Sequence, residues 1–166
     1  MNRNRLNWVI PENWHITLYF LGNTPESEIT LLQKLIEDSF ASVEPFSTIV
    51  SGTGVFPHLR NPKVLWLGLE DLQLMMPAYA RLGDLLRQNG FNIDSKSLKP
   101  HLTLARIKSL EFYSSFEFFL ARNRQLTFGS VAINRVVLYE SITTRTGPFY
   151  KPLFVKALET GQNETT

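Results

Sequence analysis

The chain contains no cysteine. Disulfides, thiolate nucleophiles and cysteine-based metal sites are therefore excluded. No stretch approaches the roughly 20 consecutive apolar residues of a membrane-crossing helix. The opening residues, MNRNRLNWVIPENW, lack the apolar core that marks a secretory signal. The expectation is a cytoplasmic protein without membrane association. Charge is also sparse. Asp, Glu, Lys and Arg make up 19% of residues, and the net charge is +2. That is too little to grip a long nucleic-acid duplex by charge alone. The sequence has no GxGxxG, no glycine loop followed by Lys-Ser/Thr, and no GxSxG elbow. Phosphate-cradling loops and a serine hydrolase nucleophile are thus missing.

What is present is apolar bulk. Hydrophobic residues make up 43% of the chain, with twelve Phe, five Tyr and three Trp, enough for a real core. Charge is unevenly placed. Residues 1–83 carry 6 Lys/Arg against 8 Asp/Glu, and residues 84–166 carry 11 against 7. A modestly basic second half suits a small anionic ligand or a nucleic-acid end.

The residue pattern predicts elements in the order β-α-β-β-α-β-α-β-β. WHITLYFL, residues 14–21, is aromatic and β-branched and ends at Gly22-Asn23, as a strand does. A helix follows to about Phe40, with Thr24 as its N-cap, Pro25 at its first position and Ile29, Leu32, Leu35 and Ile36 in one stripe. Residues 46–55 read as a strand bent at Gly52 and Gly54, and VLWLGLE as the next. Residues 76–89 read as a helix stopped by Gly90. Residues 98–107 form a strand, 112–122 a short helix, and 131–141 and 150–157 the closing strands, joined by ITTRTGPF. Strands outnumber helices without alternating with them, which points to an α+β fold with antiparallel sheets.

Histidine is scarce, and its placement carries the chemistry. Of three histidines, two open the pattern His-x-Thr-Leu: His15 in HITL and His101 in HLTL, 86 residues apart. With 13 Thr and 24 Leu in 166 residues, a given His meets that pattern about once in 90. Two hits among three histidines arise by chance roughly once in a few thousand such sequences. On a strand, i and i+2 share a face. Each motif thus offers an imidazole and a hydroxyl about 6–7 Å apart, with its two aliphatics facing the other way.

Two such half-sites suit a phosphodiester. A neutral His can take a proton from the attacking oxygen, and a protonated His can give one to the leaving oxygen. The hydroxyls of Thr17 and Thr103 can donate to non-bridging oxygens. No metal or cofactor is needed. Two histidines without a third ligand pattern do not read as a zinc site. His58, in FPHLRNP, has no such sequel and reads as a surface-loop residue. Phe56, Phe149 and Tyr150 could stack a base or pack in the core.

Paired HxTL motifs in a small α+β chain resemble the 2H phosphoesterase superfamily. The closer likeness is to its RNA 2′,3′-cyclic phosphodiesterase branch, also called 2′-5′ RNA ligase. NWVIPENWHITLYFLG is similar to that branch's first motif block, GVFPHLRNPKVLWLGL to its middle strand pair, HLTLARI to its second block and VVLYESITTRTGPFYKPL to its closing strands.

The resemblance implies one bilobal domain over residues 1–158 and a polar tail over 159–166. The implied fold is α+β, with two pseudo-symmetric lobes, each an antiparallel sheet backed by helices, around a central active-site groove. The implied substrates are RNA 2′,3′-cyclic phosphate ends or small cyclic nucleotides, with no obligate protein partner. His15 would be the proton donor and His101 the proton acceptor. Thr17, Thr103 and Arg106 would bind substrate. By strict alternation Arg106 falls on the side of Leu104, so its contact with substrate requires a bulge or a reach around the strand end. The family's usual opening strand and helix have no counterpart before Asn7-Trp8, which implies a first lobe lacking them. The same residues are compatible with non-catalytic binding of RNA ends, or with 2′-5′ ligation by the reverse chemistry.

Overall fold

The computed structural model describes residues 5–94, 98–144 and 147–160. Seven strands and three α-helices follow in the order β1 (Arg5–Trp8), α1 (Ile29–Phe40), β2 (Phe46–Phe56), β3 (Val64–Leu69), α2 (Met76–Gln88), β4 (His101–Ser109), α3 (Tyr113–Arg122), β5 (Thr127–Ile133), β6 (Arg135–Thr144) and β7 (Gly147–Ala157). They make an α+β protein of two compact units. The first comprises Met1–Thr17, Thr48–Asp71 and Lys99–Val131, and the second Leu18–Ser47, Leu72–Leu98 and Ala132–Thr166.

The first unit is built on a five-stranded sheet in the order β1-β4-β3-β2-β5. β4 pairs antiparallel with both β1 and β3. One face of the sheet is closed by α3. Leu65, Ala105 and Ile107 are buried there against Phe116 and Leu120 of the helix. Tyr113, at the start of α3, donates a hydrogen bond to the carbonyl of Leu59 and pins the loop between β2 and β3. Gly52 bulges out of β2 at φ +69°, between Ser51 opposite Gly68 and Thr53 opposite Leu67. A Cβ at Gly52 would lie 2.7 Å from the carbonyl oxygen of Arg124, so both the angle and the space require glycine.

The second unit packs α1 and α2 with the β6–β7 hairpin. Leu32, Leu35, Ile36 and Phe40 of α1 meet Ala78, Leu82 and Leu86 of α2, with Leu138 and Leu158 in the same core. Burying these side chains is the main stabilising term, at roughly 1.5–3 kcal/mol for each large one. Gly90, at φ +85°, ends α2 and donates its N–H to the Arg87 carbonyl, as expected of a helix-terminating glycine.

Three expectations are corrected. Residues 14–21 join no ladder among the described residues. Their composition favours a strand, but a ladder needs a neighbour, and the edge of β4 is taken by Arg5–Trp8. That short β1 was not foreseen. Thr24 does not cap α1. Pro25 is extended, residues 26–28 form a 3-10 turn, and the α-helix begins at Ile29. Residues 131–141 are not one strand. The chain breaks at Asn134, so β5 ends in the larger sheet and β6 starts the hairpin. Asn134 caps that break by accepting the Leu158 N–H. The expected polar tail lies, from residue 161 on, outside the described residues, as do residues 145–146 of the ITTRTGPF link.

Candidate active site

His15 and His101, with Thr17, Thr103 and Arg106, all fall in the first unit. The unit boundary cuts the first motif after Thr17, so Leu18 belongs to the second unit. Charge follows the same division. Among the described residues, the first unit has eight Lys/Arg against five Asp/Glu, and the second six against nine. The basic bias read along the sequence is thus a property of the unit that holds the two histidines.

His101 opens β4, and Thr103 follows on the same face. The register with β3 places Gly68 opposite His101, Trp66 opposite Thr103, Leu65 opposite Ala105 and Val64 opposite Arg106. Leu104 is skipped in that register. It is the extra residue of a bulge, held on its other side by the Val9 N–H, which donates to the Leu104 carbonyl at 2.8 Å. Gly68, Trp66 and Val64 alternate regularly on β3, so their partners His101, Thr103 and Arg106 share one face. The opposite face carries Leu102, Ala105 and Ile107, all buried. The bulge that Arg106 required is present, and Arg106 is exposed on the same face as the motif.

His15 reaches the unit by another route. Past β1 the chain heads along β4 toward the His101 end, then turns through a 3-10 turn at Pro11–Asn13. The Trp14 indole N–H donates to the Val9 carbonyl at 3.1 Å and clamps that turn. His15 and Thr17 follow at once, both half-buried.

The two imidazoles are anchored alike. Nδ1 of His15 lies 2.8 Å from the Asn13 carbonyl oxygen, and Nδ1 of His101 lies 2.7 Å from that of Lys99. In each case the acceptor is two residues earlier. A carbonyl can only accept, so each Nδ1 carries the proton. The ring nitrogen that can give or take a proton in chemistry is then Nε2 in both rings. The arrangement suits either charge state, because Nδ1–H is present in imidazole and in imidazolium alike.

Aromatic side chains frame His101. Phe56 meets it edge-on, with centroids 4.9 Å apart and planes at 82°. Trp66 is 6.3 Å from His101 and 5.3 Å from Phe56. Trp66 lies across Gly54, where a Cβ would fall 2.1 Å from the indole ring. Beside His101 is a cavity of about 440 Å³ lined by Val55, Phe56, Pro57, Trp66, Lys99, Pro100 and His101. Trp66, Lys99 and Pro100 were not singled out in the sequence. The available signal was Trp66 alternating with Gly68 in VLWLG, on the face that the His101 motif shares. His58 is exposed in the β2–β3 loop and does not line the cavity. Phe149 and Tyr150 belong to the second unit, where Tyr150 packs against Tyr139 with centroids 5.9 Å apart. Among the described residues, no three His, Asp or Glu side chains cluster as metal ligands, and no helix is long and apolar enough to cross a membrane.

Residues 12–144 match the profile of the 2′-5′ RNA ligase superfamily. A Thermotoga maritima protein named RNA 2′,3′-cyclic phosphodiesterase is 34% identical over 154 residues, covering 93% of this chain and 80% of that protein. One of the same name from Aquifex aeolicus is 35% identical over 148 residues, covering 86% and 77%. Among solved structures, a Thermus thermophilus protein superposes with a TM-score of 0.72 at 28% identity, covering 92% of this chain and 82% of that one. E. coli LigT complexed with 3′-AMP superposes with a TM-score of 0.71 at 24% identity, covering 92% and 81%, a likeness of fold. Two HxT histidines with matching carbonyl anchors thus stand on a fold and a sequence shared with these proteins, and the chain belongs to the 2′-5′ RNA ligase superfamily.

Proposed function

We propose that this protein hydrolyses the 2′,3′-cyclic phosphate at RNA ends, or in small cyclic nucleotides, to a 2′-phosphomonoester. The observation that carries this is the identical anchoring of the two imidazoles, Nδ1 to the carbonyl two residues back, in two HxT motifs. The names of the relatives from Thermotoga and Aquifex support the same chemistry.

His101, neutral, takes a proton through Nε2 from water as the water oxygen bonds to phosphorus. His15, protonated, gives its Nε2 proton to the leaving 3′ oxygen as the P–O3′ bond breaks. The Lys99 and Asn13 carbonyls fix the tautomers and stabilise the positive ring that forms or is consumed. Thr17 and Thr103 donate to the non-bridging oxygens, and the Arg106 guanidinium offsets the phosphoryl charge. This route uses protons alone, so EDTA should leave the rate unchanged.

Incubating the protein with adenosine 2′,3′-cyclic phosphate in EDTA tests the scheme. The expected product is adenosine 2′-phosphate. A 3′-phosphate product, or no turnover with or without added divalent metal, overturns it.

A further inference from the structure

The acid and the base of the proposed reaction are held by different means. His101 sits in a ladder, opposite Gly68 of β3. His15 does not, because residues 14–21 pair with no strand among the described residues. Its place is set instead through Val9, just past β1. The Val9 N–H donates to the carbonyl of Leu104, the bulge residue beside Thr103, at 2.8 Å. The Val9 carbonyl accepts the Trp14 indole N–H at 3.1 Å. Trp14 in turn stands between His15 and Asn13, whose carbonyl holds the His15 Nδ1 proton. Val9 is thus bonded through its N–H to the second motif and through its carbonyl to the residue before the first. All of these residues belong to the first unit.

The two anchors differ in their middle residue. His101 reaches the Lys99 carbonyl across Pro100, and a proline ring locks φ near −65°. His15 reaches the Asn13 carbonyl across Trp14, which has no such ring yet stands at φ −71° and ψ 123°. Two hydrogen bonds replace the ring. The Trp14 backbone N–H is fixed on the Pro11 carbonyl at 3.0 Å, and its side chain is fixed on Val9. With both held, rotation about the N–Cα bond, which is φ, is blocked. The indole is not spent on core packing, since Trp14 is 47% exposed. Trp66 is the opposite case, with its ring packed across Gly54 and its N–H without a hydrogen bond among the described residues.

We infer that Trp14 is a positioning residue for His15. Its indole bond does for the first anchor what the Pro100 ring does for the second, and it ties the proton donor to the strand that carries the proton acceptor. This rests on the proposed hydrolysis, with His15 as the acid. Thr103 and Arg106 still hold the substrate when the bond is lost, so the loss falls on kcat rather than on KM.

Trp14→Phe tests this, because it keeps a flat apolar ring and removes the N–H. Its kcat for adenosine 2′,3′-cyclic phosphate should fall about tenfold, the scale of a small misplacement of a reacting group, with KM changed by no more than about twofold. In a His15→Ala background the same substitution should change the residual rate by less than about twofold, since the residue it positions is gone. A merely structural role would lower the rate alike in both backgrounds. Benzothienylalanine at position 14, with sulfur in place of the N–H, serves in the same comparison if Trp14→Phe fails to fold. An unchanged kcat, or an equal loss in the His15→Ala background, overturns the inference. If the wild-type protein does not turn over, the hydrolysis proposal fails, and NMR decides this one separately. Above the pH of histidine titration, ring nitrogen shifts should show both histidines as the Nδ1–H tautomer in the wild type. In Trp14→Phe they should show a mixture of tautomers for His15 alone. A His15 ring that the substitution leaves unchanged, or an equal change in His101, overturns the positioning role.

Discussion

Thr103 and Arg106 lie on the same face of β4, although they are three residues apart in a strand. The bulge at Leu104 makes this so, because Thr103 stands opposite Trp66 and Arg106 opposite Val64. A regular strand would send Arg106 into the face held by Ala105, which is fully buried. Arg106 instead is exposed beside the motif hydroxyl. Arg106→Ala should lower kcat/KM for the cyclic phosphate about ten- to a hundredfold, the range of a lost charged hydrogen bond. Stability should change by no more than about 0.5 kcal/mol, as at other exposed positions. Arg106→Lys should restore part of the rate, because it returns the charge without the planar fork. Unchanged kinetics in Arg106→Ala would remove this residue from the site.

The two histidines should be separately indispensable. His15→Ala and His101→Ala should each lower kcat by about 100-fold or more, the usual worth of a positioned acid or base. Neither ring is in a buried core, so both variants should unfold close to the wild-type temperature. Circular dichroism melts beside single-turnover rates check both halves. Wild-type turnover in either variant refutes a divided acid–base pair.

How much of this was readable in the residues differs from place to place. Of the HxTL pairs, HLTL could be read directly, because His101 and Thr103, two apart on β4, share a strand face. The α1 and α2 stripes could be read for the same kind of reason: Leu32, Leu35, Leu82 and Leu86 recur at helical spacing and are buried. Arg106 was half legible. Alternation placed it on the wrong face and thereby showed that a bulge was needed, but the bulge is set by pairing with β3 and β1, which one strand's sequence does not contain. The segment after Trp14 was misread because its aromatic and β-branched residues state a preference, whereas a ladder is a relation between two segments. The cavity was not legible, since it joins Phe56, Trp66 and Lys99 from three separate stretches.

Gly54 should be irreplaceable for a reason separate from backbone freedom. A Cβ there would lie 2.1 Å and 2.3 Å from two indole carbons of Trp66. Gly54→Ala must therefore displace the ring, at about 1–3 kcal/mol, the usual cost of overpacking. The indole N–H of Trp66 makes no hydrogen bond among the described residues, so no polar bond resists that shift. The expected signs are a lower denaturation midpoint and a changed tryptophan emission maximum. Wild-type stability and emission in Gly54→Ala would mean that the indole does not rest there in solution.

In the second unit, Tyr19 ties residues near the first motif to α2. Its ring stacks on Tyr79 with centroids 4.6 Å apart, and its hydroxyl donates to the Tyr79 carbonyl at 2.9 Å. Burial, then the neighbouring Tyr79, push the Tyr19 hydroxyl well above its ordinary range, with Arg87 opposing. The folded value is raised, so the stability it reports is fully present below the ordinary tyrosine pKa of about 10 and is lost as pH rises toward the folded value. Tyr19→Phe should cost about 1 kcal/mol near neutrality, from the lost hydrogen bond, and flatten the alkaline fall in stability above pH about 10. Gly83 bears on the same hydroxyl, because a Cβ there would lie 2.3 Å from it. Gly83→Ala should gain about 1 kcal/mol of helix propensity and lose more to the clash, for a net destabilisation. The double variant Tyr19→Phe/Gly83→Ala should be more stable than Gly83→Ala alone, since the clashing oxygen is gone. Urea denaturation of the four proteins in this cycle gives the coupling. Additive effects would show that Gly83 and the Tyr19 hydroxyl do not meet.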